Sequence, residues 1–172
     1  MITMNERGGE SMQTVTVAIA DTDPGRRAKL EHSLQGGQGI KVLKNTILDE
    51  SDASANPQLE SHTGMTSVEE VVAKIRQLNP RILFINFDQL TEDNFALLGT
   101  LQRECPETLV VLLTDKSAQD EQILQALANG ARGCLNHEAD PLYFLKAVRV
   151  VDQGEIWVTR KMLGKIMDKV LH

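Results

Sequence analysis

The chain has 172 residues, 41% of them hydrophobic and 24% charged, which suits one α/β-sized domain with a sizeable core and excludes a disordered or fibrous chain. Its formal net charge of −6 argues against nonspecific nucleic-acid binding. No apolar run reaches the roughly 20 residues that span a bilayer. The polar opening Met1-Ile2-Thr3-Met4-Asn5-Glu6-Arg7-Gly8-Gly9-Glu10 lacks the apolar stretch of a signal peptide, so a cytosolic protein with no membrane contact is expected.

Residues 1–13 read as a flexible tail, and 14–158 as a domain in which strand-like and helix-like segments alternate. Val15 to Ala20 is the first apolar strand. Asp23-Pro24 is an N-cap followed by proline at the first helical position, and Ala28, Leu30 and Leu34 support a helix closing near Gly36-Gly37. Ile40 to Leu43 is a second strand. Behind the possible caps Thr66 and Ser67, the helical spacing of Val68, Val71, Val72, Ile75 and Leu78 predicts a helix that feeds a strand over Ile82 to Ile85. A helix over Thr91 to Cys105 leads to the apolar run Leu109 to Leu113, which ends in Thr114. Ser117 to Asn129 reads as a helix stopped by Gly130, and Cys134-Leu135 as a short fifth strand. Asp140-Pro141 opens a helix closed by Gly154, with Leu142, Phe144, Leu145, Val148 and Val151 on its apolar side. The pattern implies an α/β fold: a doubly wound, five-stranded, mostly parallel sheet covered on both faces.

Two segments break that rhythm. Residues 46–65 are too long for a usual connection and acidic, with Asp49, Glu50, Asp52 and Glu60 unmatched by any Lys or Arg, and read as an inserted surface loop. Residues 159–172 read as an extra C-terminal amphipathic helix. Its stripe of Met162, Leu163, Ile166, Met167, Val170 and Leu171, continued from Val158, would pack on the domain or on a partner. Cys105 and Cys134 lack metal-ligand spacing and lie among apolar neighbours, as buried free thiols do.

In such a fold ligands gather at the carboxyl ends of the strands. There the sequence offers Asp21, Thr22 and Asp23 after strand one, Asn86 and Asp88 after strand three, Thr114 after strand four, and Asn136 and His137 after strand five. Ala20-Asp21-Thr22-Asp23-Pro24 has none of the glycines of a phosphate-cradling loop. Thr114, His137 and Asp21 can be drawn as a hydrolytic triad, but nothing in the sequence activates the hydroxyl.

At these residues the chain resembles receiver domains of bacterial two-component response regulators, especially of the NarL/LuxR type, over residues 14–158. Ala20-Asp21-Thr22-Asp23-Pro24 resembles the family's acidic stretch after strand one. Pro80 through Asn86 is similar to the run that ends in the phosphoacceptor, and Leu113-Thr114 to the end of strand four. The most specific match is the stretch from Ala128-Asn129-Gly130 through Cys134-Leu135-Asn136-His137 to Asp140-Pro141. Gly154-Glu155-Ile156-Trp157-Val158 resembles the segment that leaves the domain.

The resemblance implies a flavodoxin-like receiver fold and a pocket of six functional positions. An active receiver has two acidic residues after strand one and an aspartate after strand three, which together hold Mg²⁺, the last also accepting the phosphoryl group. A hydroxyl after strand four, a lysine after strand five and an aromatic switch residue complete the set. Here only Asp21 and Thr114 match. Thr22 stands at the second acidic position, Asn86 at the phosphoacceptor, His137 at the lysine and Cys134 at the switch. Mg²⁺ wants carboxylate oxygens and an amide cannot form an acyl phosphate. Asp88 lies two residues past the acceptor position and reads as a solvated loop acid.

The expectation is therefore a degenerate receiver, or pseudo-receiver: a phosphorylation-independent regulatory protein–protein interaction module in bacterial signalling or transcription control. It would have no catalytic residue, metal or cofactor. It would pair as a homodimer through helices one and five or the tail, and any DNA contact would belong to an output domain of a longer protein. The alternatives are a receiver phosphorylated at Asp88 or Asp21, and a small-ligand sensor using the neutralised pocket.

Overall fold

The computed structural model describes residues 14–44, 68–87, 91–115 and 117–171. The N-terminal tail, the acidic loop, the caps Thr66 and Ser67, and Asp88 lie outside them.

The order along the chain is β1 (Val15–Ala20), α1 (Pro24–Gln35), β2 (Ile40–Val42), α2 (Val68–Leu78), β3 (Ile82–Asn86), α3 (Glu92–Glu104), β4 (Leu109–Thr114), α4 (Asp120–Ala128), β5 (Gly133–Asn136), α5 (Pro141–Asp152) and α6 (Arg160–Leu171). The strands form one parallel sheet in the order β2-β1-β3-β4-β5. Strand side chains alternate between faces, and the continuous apolar runs of β1, β3 and β4 feed two cores. On one face Val17, Ile19, Phe84, Val111 and Leu113 meet Leu30 and Leu34 of α1 and Phe144, Val148 and Val151 of α5. Phe84 and Phe144 pack edge to face at 6.3 Å. On the other face Ala18, Ala20, Leu83, Ile85 and Leu112 meet Val71 and Ile75 of α2 and Leu98 and Leu101 of α3. The expected doubly wound five-stranded sheet is the observed one. Because β1 lies between β2 and β3, the strand order reverses at its carboxyl end, where such folds open a crevice.

Three expectations need correction. Ser117 does not begin a helix: the Asp115 carboxylate accepts from its backbone N–H at 2.8 Å and forms a local turn. The helix starts at Asp120, after Gln122 Oε1 accepts the Gln119 N–H at 3.0 Å. Leu142 is 53% exposed rather than part of the apolar side of α5, because the turn capped by Asp140 directs it outward. Cys134 is half-buried, unlike buried Cys105. Of the tail stripe only Met162 is buried, while Val170 and Leu171 are above 70% exposed.

Between α5 and α6, Trp157 runs beside β5 as a single parallel bridge to Gly133. Its N–H donates to Arg132 O at 3.0 Å, and its carbonyl accepts from Cys134 N at 2.9 Å. α6 then lies along α4, where Lys161 and Lys165 reach Asp120 and Lys169 reaches Glu121. Among the described residues no helix is long and apolar enough to cross a membrane.

Candidate functional site

The carboxyl end of β1 delivers Asp21, which is 1% exposed although it carries a carboxylate. A buried carboxylate is tolerable only with donors and a counter-charge, and the next residues provide both. Asp23 caps α1, its Oδ1 accepting from the backbone N–H of Gly25 at 2.8 Å and of Arg26 at 3.1 Å, with Pro24 at the first helical position. Those N–H groups, that of Arg26 foremost, hold the Asp23 carboxyl below its ordinary value. The cap fixes the first turn so that the Arg26 side chain runs back to the strand end.

There its Nη2 donates to Asp21 Oδ1 at 2.8 Å and its Nε to Oδ2 at 2.9 Å, a two-pronged guanidinium–carboxylate pair. Asp23 N–H adds a bond to Oδ1 at 2.9 Å, and Arg27 Nη1 donates to the Asp21 carbonyl at 3.0 Å.

β3 ends in Asn86, also buried, and its Nδ2 amide donates to Asp21 Oδ2 at 3.4 Å. Carboxylates at both positions would repel across this gap; the amide turns the contact into a donor–acceptor pair. Thr22 is half-buried beside them. On the far side, Thr114 Oγ1 lies 3.5 Å from Leu135 O as donor and accepts from Cys134 Sγ at 3.8 Å. Burial pushes the Cys134 thiol up to about 11, so it remains a neutral donor. His137 follows β5, its backbone N–H donating to Thr114 O at 2.9 Å.

The structure thus brings Asp21 and Asn86 into direct contact and pairs Thr114 with Cys134. His137 joins Asp21 and Arg26 in the wall of a cleft of about 210 Å³ floored by Leu30, Leu113 and Phe144. The hydrolytic triad does not assemble: Asp21 is committed to Arg26, and Thr114 to Leu135 and Cys134. Nor does the donor set suit Mg²⁺. Two of the three positions are neutral, both Asp21 oxygens are engaged, and among the described residues no three His, Cys, Asp or Glu side chains cluster as metal ligands.

Arg26 is the residue that sequence reasoning missed. Its signal was an arginine three residues after the N-cap Asp23, placed to fold back on a carboxylate just before the helix.

No protein-family model matches the chain. Among curated proteins, the oxygen regulatory protein NreC of Staphylococcus haemolyticus (strain JCSC1435) is 25% identical over 104 residues, 60% of this chain. The chain spans about half of that relative, 48% of its length. Among solved structures, the isolated receiver domain of RcsB from Salmonella enterica serovar Typhimurium in its apo form superposes with a TM-score of 0.66 at 17% identity, over 90% of this chain and 99% of that one. The signal receiver domain of NarL from Mycobacterium tuberculosis gives 0.60 at 17% identity, over 83% and 99%. A LuxR family DNA-binding response regulator from Silicibacter pomeroyi gives 0.57 at 24% identity, over 86% and 98%. The fold is that of receiver domains of NarL/LuxR-type response regulators.

Proposed function

We propose that this receiver-fold chain is a phosphorylation-independent pseudo-receiver, a regulatory protein–protein interaction module rather than an enzyme. The observation that carries the reading is the Asn86 amide donating to Asp21 Oδ2 at the end of β3. Where an acyl phosphate would need a carboxylate nucleophile, the chain has an amide that cannot supply one. His137 provides no lysine ammonium for a phosphoryl group, and Cys134, hydrogen-bonded to Thr114, stands in place of a mobile ring. Such a pocket holds one signalling arrangement. The regulatory surface would be a homodimer face built from α1 and α5, where Leu142 and Tyr143 are exposed, or from α6; sedimentation at micromolar concentration distinguishes dimer from monomer. Contact with DNA would fall to another part of a longer protein.

Acetyl phosphate or beryllofluoride with Mg²⁺ should leave the protein unchanged, and intact-mass measurement reads the outcome directly. Asn86→Asp alone should label weakly, because Thr22 withholds a metal ligand and His137 replaces the lysine. Adding Thr22→Asp and His137→Lys should raise the labelled fraction. A phosphate adduct on the unmodified chain, mapped to Asp21 or Asp88, would sink this reading in favour of a receiver with a displaced acceptor. The cleft beside His137 supports a second reading, a small-ligand sensor; a thermal-shift screen against metabolites tests it, and a saturable stabilisation lost in His137→Ala would favour it.

A further inference from the structure

We infer that Arg26 is a built-in counter-ion: its guanidinium takes the place of a divalent cation beside Asp21 and keeps metal ions off that carboxylate. The inference deepens the pseudo-receiver reading, and its test is independent of phosphoryl transfer.

Three observations meet at this residue. The Asp21 side chain is only 2% exposed, so its charge demands compensation from within the fold. Among the described residues, Oδ1 takes the Asp23 N–H and Arg26 Nη2, and Oδ2 takes Arg26 Nε and the Asn86 amide, so these contacts are all donors and Arg26 brings the positive charge. Finally, Arg26 is held in place from its own backbone. Its N–H is fixed by the Asp23 cap, its Nη1 lies 3.5 Å from Asp23 Oδ2, and the helix that bears it is anchored by buried Leu30 and Leu34. A planar fork preset in this way loses little freedom on pairing and matches a carboxylate edge to edge, which a hydrated point charge does not.

The consequence is a pocket whose charge balance is set covalently, by the chain, and not by the concentration of a soluble ion. Asn86 and Arg26 then act on different steps. Asn86 removes the nucleophile, whereas Arg26 would obstruct metal binding even if the carboxylates were restored. A fixed cation within a few ångströms of a carboxylate repels a second cation strongly enough to weaken its binding by roughly tenfold or more.

The test compares Mn²⁺ binding, followed by electron paramagnetic resonance without any phosphodonor, in the Thr22→Asp/Asn86→Asp chain and in the same chain carrying Arg26→Gln. The expected result is at least about tenfold tighter Mn²⁺ binding when Arg26 is removed, with Arg26→Lys closer to the arginine form because it keeps the charge. Equal Mn²⁺ affinity with and without Arg26 overturns the inference. Thermal melting of the metal-free chain gives a second readout. Arg26→Gln should lower the melting temperature strongly in the native background and far less alongside Asp21→Asn, where no buried charge needs a partner. An equal loss in both backgrounds would mean that Arg26 acts through packing alone and would also overturn it. The failures are separable: a phosphate adduct on the native chain sinks the pseudo-receiver reading and leaves the Mn²⁺ comparison standing. Unchanged Mn²⁺ affinity sinks the counter-ion and leaves the missing nucleophile standing.

Discussion

Two cation–carboxylate contacts of almost equal length hold different parts of this molecule. Arg26 meets Asp21 at 2.8 Å at the end of β1, and Lys165 meets Asp120 at 3.0 Å between α6 and α4. The side chains of the first pair are 31% and 2% exposed, those of the second 42% and 31%. In the first, a rigid fork serves a carboxylate that has no water to fall back on. In the second, flexible ammonium groups share an acid that solvent already serves. Distance alone therefore says little about what a contact does; removing a partner is costly only where the survivor is stranded.

The largest expected effect follows directly. Arg26→Ala should destabilise the fold by about 3 kcal/mol, since it leaves a buried charge without its counter-ion. Urea unfolding measures it, and a loss below about 1 kcal/mol would place Asp21 in the same class as the surface pairs.

A second expectation concerns the thiol on the other side of the pocket. With its pKa raised from 9.0 to about 11 by burial, Cys134 should react with iodoacetamide at pH 8 about a hundredfold more slowly than an exposed thiol. The sign on stability follows: the unfolded thiol ionises from about pH 9 while the folded one keeps its proton, so the contribution is intact below that pH and is lost as pH rises towards 11. Urea midpoints of the native chain and Cys134→Ala, compared at pH 8 and 10, should converge at the higher pH; parallel curves would exclude the shift.

The smallest effect belongs to the tail. The Asp120 carboxyl is held below its ordinary value, chiefly by the Lys165 hydrogen bond, yet Lys165→Ala should leave the unfolding midpoint within error. At 1 M salt, where screening acts over roughly 3 Å, any residual difference should vanish. A salt-resistant loss would mean that the α6 contact is less solvated than its exposure indicates.

Much of this architecture was legible because β1, β3 and β4 are continuous apolar runs between helices with clear caps, as at Asp23-Pro24 and Asp140-Pro141, and burial on both faces leaves such runs few alternatives. The placing of Asp21, Asn86 and Thr114 at or just past the ends of β1, β3 and β4 followed from the strand ends. Less visible was anything decided by a side chain folding back on its own loop. Asp115 captured Ser117 and delayed α4, and Arg26 returned to Asp21 across a helix cap. Amphipathicity identified α6 but not its resting place, since a stripe specifies that a face is apolar and not what it touches.

The single bridge between Trp157 and Gly133 has a bearing on solubility. Every open sheet ends in two strands that could recruit another chain, and here the two borders are guarded differently. β2 is only three residues long and shows Lys41 to solvent. β5 instead has its Cys134 N–H taken by the Trp157 carbonyl, and the Arg132 carbonyl just before the strand taken by the Trp157 N–H; only glycine permits so close a neighbour, since a Cβ at Gly133 would sit 2.9 Å from the Trp157 carbonyl oxygen. Gly133→Val should therefore push the Trp157 segment off the sheet and open a sticky border on the strand that carries Cys134, turning a quiet edge into a template for association.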